Sequence, residues 1–128
     1  MAFFVSREGV WDIVPGGSSE TPALKVTGLT AGGLVKVTVN FCAHATNRAA
    51  NEGFYYSLTS SSSDDVMAVT PATAIFQGDD GWQSCTLITI FEVLSNSKGA
   101  AELSCHFNKG DLTGTGTLMN FVLLAEML

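Results

Sequence analysis

Charge is what this sequence has least of. Asp, Glu, Lys and Arg make up only 14% of its 128 residues, against about 25% in an average soluble domain. The six basic residues are outnumbered by twelve acidic ones, for a net charge of −6. Such a chain has no basic face to neutralise phosphates, which excludes nucleic acid as a partner. Apolar residues at 46% exclude disorder, which needs low hydrophobicity and high charge. A helical bundle or coiled coil, rich in Ala, Glu, Lys, Leu and Arg, is excluded by the same composition. Long apolar runs are missing too. The longest, Phe121 to Ala125, has five residues, far short of the ~20 that a membrane helix needs, so no membrane partner is expected.

Cysteine is scarce and unpaired in pattern. Cys42, Cys85 and Cys105 are odd in number and form no CxxC, which argues against a disulfide framework. They read as small buried or half-buried hydrophobes. The opening residues carry neither a basic n-region nor an apolar h-region. No Asn lies in an N-x-[ST] sequon. The expectation is a chain made in a reducing cytosol.

What is present is alternation. From Val35 the odd positions run Val35, Val37, Val39, Phe41, Ala43 and Ala45, while Lys36, Thr38, Asn40, Cys42, His44 and Thr46 fill the even ones. That is a long half-buried strand. Phe54–Thr59 and Ala100–Asn108 alternate in the same way. Turn clusters separate them: 15–19, 60–65, 78–81, 95–99 and 108–111. Gly, Asn and Asp tolerate the left-handed conformers such turns need, and 95–99 reads as a hairpin connection. No window shows a helical period. The pattern predicts about ten strands, at 2–7, 10–14, 23–27, 34–46, 54–59, 66–69, 73–76, 82–94, 100–108 and 116–127. A single all-β domain spanning 1–128 follows, an antiparallel β-sandwich of the jelly-roll type. Roughly two-thirds of the unfolded chain's surface is buried in a domain of this size, enough for a core without disulfides or metal.

Two strands are apolar on both faces. Trp82, Ile88, Ile90 and Leu94 share one face of 82–94, with Cys85, Leu87, Phe91 and Val93 on the other. In 118–128, Met119, Phe121, Leu123, Ala125 and Met127 face one way, and Leu118, Val122, Leu124 and Leu128 the other. One face of a sheet in a simple sandwich meets water and should be polar. A strand apolar on both sides therefore implies a partner subunit, or a bulge that switches faces midway. The expected oligomer interface comprises Leu118, Phe121, Val122, Leu123, Leu124, Ile88 and Ile90.

The order of these segments resembles the compact jelly roll of the tumour-necrosis-factor and complement globular-head families. Ala2-Phe3-Phe4-Val5-Ser6-Arg7 looks like their opening strand. Residues 27–39, Thr27-Gly28-Leu29-Thr30-Ala31-Gly32-Gly33-Leu34-Val35-Lys36-Val37-Thr38-Val39, are similar to the loop feeding their long inner strand. Residues 116–124 are similar to their last strand. The resemblance implies a homotrimer packed through that last strand. A free-standing jelly roll of low charge also resembles the capsid decoration (cement) proteins of tailed bacteriophages. That resemblance implies a structural virion protein, made in host cytoplasm and bound as a trimer to the major capsid protein or another large assembly.

Chemistry is sparse. GxSxG, HExxH and GxxxxGK[ST] are absent, so no enzyme and no cofactor are expected. Gly114-Thr115-Gly116 echoes a phosphate loop but no helix follows. Cys42 and His44 share the polar face of one strand and could begin a zinc site. Cys105 and His106 are adjacent and point to opposite faces. The reading is no metal. Asp64, Asp65, Asp79, Asp80 and Asp111 fall in loops and read as solvated turn residues rather than calcium ligands. Tyr55 and Trp11 are candidate stacking platforms for a sugar ring, and Trp82 is a third, or an anchor of its strand. The alternative function is therefore a carbohydrate- or receptor-binding module, a lectin or fibre tip.

Overall fold

In the computed structural model, nine strands among the described residues form two antiparallel sheets. The structure describes residues 2–13, 21–46, 53–61, 63–77, 81–108 and 114–128. The expected turn residues 15–19, Ser62, 78–80 and 109–111, with Asp79, Asp80 and Asp111, lie outside the described residues. The strands are β1 (Ala2–Asp12), β2 (Leu24–Thr27), β3 (Leu34–Thr46), β4 (Phe54–Ser60), β5 (Val66–Ala68), β6 (Thr73–Phe76), β7 (Gln83–Val93), β8 (Ala100–Asn108) and β9 (Thr115–Met127). A five-stranded sheet has the order β1-β9-β3-β7-β5 and a four-stranded sheet the order β2-β8-β4-β6. The antiparallel jelly-roll sandwich expected from the alternation is what forms.

Nine strands replace the ten expected because 2–7 and 10–14 are one strand. β1 runs through Gly9, whose φ of 85° a residue with a Cβ adopts poorly. Its register against β9 slips between Arg7 and Val10. The sequence reading breaks the strand at residues 8–9, but here they make a bulge within one strand.

Consecutive strands alternate between the sheets from β1 to β9. No strand therefore hydrogen-bonds its neighbour in sequence. Residues 95–99, expected to close a hairpin, instead arch from β7 in one sheet to β8 in the other. Arch and hairpin need the same left-handed residues, and Gly99 supplies one at φ 85°. Asp65 holds this arch. Its carboxylate accepts from Ser97 Oγ at 2.9 Å and from the Lys98 amide at 2.7 Å, and it is buried. It is a structural acceptor and not a solvated turn residue, whereas Asp64 is exposed.

The core lies between the sheets. From the five-stranded sheet come Val35, Val37, Val39, Phe41, Phe91, Val93, Phe121, Leu123 and Ala125. The four-stranded sheet contributes Leu24, Val26, Phe54, Tyr56, Leu58, Leu103, Cys105 and Phe107. Phe41 bridges the two, edge-on to Tyr56 at 4.9 Å and to Phe107 at 5.0 Å between ring centroids. Such pairs add about 0.5–1.5 kcal/mol beyond the area they bury.

In β9 the expected faces are offset midway. Asn120 has a φ of 56°, and β9 carries one more residue than β3 between the pairs Cys42–Met119 and Asn40–Val122. This bulge turns Leu118 to the same side as Phe121, while Met119 joins Val122 on the other. Of the two readings of the two-sided strand, the bulge is what forms: the faces switch at Asn120, and Val122 and Leu124 lie on the outer side.

Candidate functional site

Each sheet has an outer face, and the two differ in chemistry. On the four-stranded sheet, β4 turns Phe54, Tyr56 and Leu58 inward, so Tyr55, Ser57 and Thr59 point out. β8 presents Glu102, Ser104, His106 and Asn108, β6 presents Thr73 and Ile75, and β2 presents Lys25 and Thr27. Register sets these into rows. Tyr55 sits between Ile75 on β6 and Asn108 on β8. Ser57 sits between Thr73 and His106, and Thr59 is opposite Ser104.

Tyr55 is 43% exposed and lies within the sheet, where strands on both sides fix its backbone. Beside it runs a chain of paired hydroxyls. Ser57 Oγ is 3.1 Å from Thr73 Oγ1, Thr59 Oγ1 is 3.3 Å from Ser104 Oγ, and Ser104 Oγ is 3.3 Å from His106 Nε2. These bonds orient the groups without exhausting them, since each hydroxyl has one donor and two acceptor sites. An aromatic ring, a flanking aliphatic side chain and ordered hydroxyls can together hold a ligand with an apolar face and a hydroxylated rim.

The outer face of the five-stranded sheet is apolar in one half. One row across it reads Phe4, Leu124, Thr38 and Ile88; the next reads Ser6, Val122, Asn40 and Thr86. Phe4 is 69% exposed and Ile88 50%. The row beyond contains Lys36 opposite Glu126. At the other end Trp82 is exposed, and His44 meets its ring edge-on at 4.3 Å. Trp82 precedes β7 and does not anchor the core.

Several expected site residues are placed elsewhere. Leu118, Phe121 and Leu123 have 0% exposure. They line the core and cannot form an oligomer interface. Of the expected set, Val122, Leu124, Ile88 and Ile90 lie on the outer face. Trp11 is turned inward against Phe121, with ring centroids 6.2 Å apart, and the Arg7 guanidinium lies 4.1 Å over its indole. Its face is covered, so it offers no stacking platform. The pair of Cys42 and His44 stays on the outer face, but among the described residues no group of three His, Cys, Asp or Glu is placed to hold a metal ion.

The thiols differ. Cys105 is fully buried, and burial pushes it up to about 12. Cys85 is raised to about 11, chiefly by burial and then by the nearby Cys42. Burial also raises Tyr56 above its ordinary 10.0. A hollow of about 130 Å³ opens at one end of the sandwich, lined by Leu29, Leu34, Val93 and Met127. It is remote in register from Tyr55. Sequence reasoning singled out Tyr55 but missed Ser57, Thr73, Ser104, His106 and Ile75 beside it. Nothing in the linear pattern places β6 next to β4.

No known protein family matches this chain, and no curated protein does. Among solved structures, it is similar to the CBM22-1 xylan-binding domain of Xyn10C from Paenibacillus barcinonensis. The two are 14% identical over 94% of this chain and 83% of that one, with a TM-score of 0.33. A likeness this slight carries no argument, and the fold rests on the geometry above.

Proposed function

We propose that this protein is a non-catalytic binding module that takes carbohydrate on the outer face of its four-stranded sheet. The observation that carries the reading is Tyr55, an exposed ring framed by Ile75 and Asn108 and adjoined by ordered hydroxyls. A pyranose has an apolar C–H face and a rim of hydroxyls. The ring matches the first and the Ser57, Thr73, Ser104 and His106 row matches the second. The described residues around Tyr55 make a sheet face rather than a walled pocket, so modest affinity is expected. A Kd of about 1 mM corresponds to only about −4 kcal/mol.

The test is a glycan array followed by calorimetry on the strongest hit. Tyr55→Ala is expected to weaken binding by at least about tenfold, or about 1.4 kcal/mol, with little change in melting temperature. Binding that survives Tyr55→Ala, or an array without hits, contradicts the reading.

A second reading concerns the opposite face. The row of Phe4, Leu124 and Ile88, with Val122 beside it, supports self-association, here as a homotrimer. Exposed apolar patches of this kind mark protein contacts. The placement of β9 inside the five-stranded sheet suits the trimer that the jelly-roll resemblance implies. The two readings are compatible, because copies joined through one sheet leave the other free. A capsid partner and a virion location would follow only from the decoration-protein resemblance. Among the described residues none speaks for them, so the carbohydrate reading is preferred.

A further inference from the structure

We infer that the Tyr55 face selects an uncharged, extended oligosaccharide lying along β4, and not an acidic one. This rests on the carbohydrate reading and narrows it. Selection follows from where charge is missing. Among the described strand residues, the outer face of the four-stranded sheet holds one cation, Lys25, and one carboxylate, Glu102. They sit opposite one another in register on β2 and β8, so each offsets the other. Asn108, the β8 neighbour of Tyr55, is six residues from Glu102, about 20 Å along a strand. Among the described residues no Lys or Arg lies beside Tyr55, so a uronate or sulfate stacked there would give up its hydration without a described cation to replace it, on a chain whose net charge of −6 repels it.

The groups that do surround Tyr55 suit neutral hydroxyls. Ser57, Thr73, Thr59 and Ser104 can each donate and accept, and His106 joins them through Ser104. These groups are drawn out along the strand. From Tyr55 to Thr59 is four residues, about 13 Å, longer than one sugar ring. The first ring stacks on Tyr55 and the following units reach the hydroxyls of Ser57, Thr59 and Ser104. Affinity should therefore rise with chain length.

Calorimetry on the intact protein distinguishes the outcomes. The probes are glucose, cellobiose and cellotetraose, with xylotetraose and mannotetraose as further neutral chains. Oligogalacturonate and heparin fragments are the acidic arm. The expected result is binding to at least one neutral tetraose, at least about tenfold tighter than to any acidic chain and unchanged by added salt, which would screen an ionic contact. Shortening the bound sugar to its monomer should weaken binding. The double variant Ser57→Ala with Ser104→Ala should reduce the advantage of the tetraose over the monosaccharide and leave the melting temperature near wild type. Preference for the acidic chains overturns the inference while sparing the carbohydrate reading. Equal affinity for monomer and tetraose overturns the extended mode. Binding to no sugar in either arm removes the reading on which it rests.

Discussion

Tyr55 and Trp11 look alike in the sequence, each an aromatic residue in a strand of mixed polarity. Alternation already sets Phe54 and Tyr56 on the apolar side opposite Tyr55, and the fold places those two in the core while Tyr55 faces out. Trp11 shares the inward parity of Phe3, Val5 and Arg7 in β1, and lies beneath Arg7 and against Phe121. The two alanine variants should therefore differ in kind. Trp11→Ala is expected to cost about 3 kcal/mol, the low end for a tryptophan truncation, whereas Tyr55→Ala stays within about 0.5 kcal/mol of wild type. Urea titration of both checks this. The buried thiols give a second prediction at this scale. Cys85 and Cys105 are raised in the folded protein, to about 11 and about 12 from 9.0. The unfolded chain releases these protons first. Their contribution is intact below pH 9 and is lost as pH rises from 9 towards those values. Melting temperature should fall through that range, and Cys105→Ala should make the fall shallower. An equally steep fall in the variant would contradict the assignment.

Among the elements, β9 shows how far alternation carries and where it stops. Apolar residues on both faces of the strand are visible in the sequence, and so is the outward placing of Val122 and Leu124 once Phe121 is taken as core. The offset at Asn120 is not visible, because an extra residue opposite β3 depends on a backbone angle that no spacing rule reports. Asn tolerates a φ of 56° better than most residues. Asn120→Gly should fold with near-wild-type stability, while Asn120→Val, β-branched at a left-handed position, should cost about 1–2 kcal/mol. Thermal unfolding of the pair separates a backbone requirement from a loss of side-chain contacts. The β7–β8 connection carries the same lesson. Its turn residues were readable, but whether they close a hairpin or an arch depends on which sheet receives β8. Asp65 sits 32 residues before the Ser97 that it binds. Removing that carboxylate strands the Lys98 amide and the Ser97 hydroxyl, so Asp65→Ala should cost about 1–3 kcal/mol, with the loosening concentrated in 95–99 by hydrogen exchange.

For the whole molecule, the low charge is distributed with a purpose. One outer face is apolar at Phe4, Leu124, Ile88 and Val122. The other is polar, and among the described residues uncharged around Tyr55, through hydroxyls, an amide and an imidazole. Composition reported the shortage of charge; the sandwich shows that it takes two forms on two faces. Adjacent residues of β9 separate them experimentally. Leu123 lies in the core, so Leu123→Asp should abolish folding. Leu124→Asp should leave a folded chain and shift its light-scattering mass to the monomer. A wild type that is already monomeric at micromolar concentration would contradict self-association, without touching the sugar-binding face.

That face is tested most directly by titrating the labelled protein with a neutral tetraose and following each backbone amide in a nitrogen–proton correlation spectrum. The account predicts shifts confined to β4, β6 and β8 around Tyr55, Ser57, Thr73 and His106, and absent in Tyr55→Ala. Shifts centred instead on Val122, Leu124 and Ile88, or a spectrum unmoved by every neutral sugar, would contradict it.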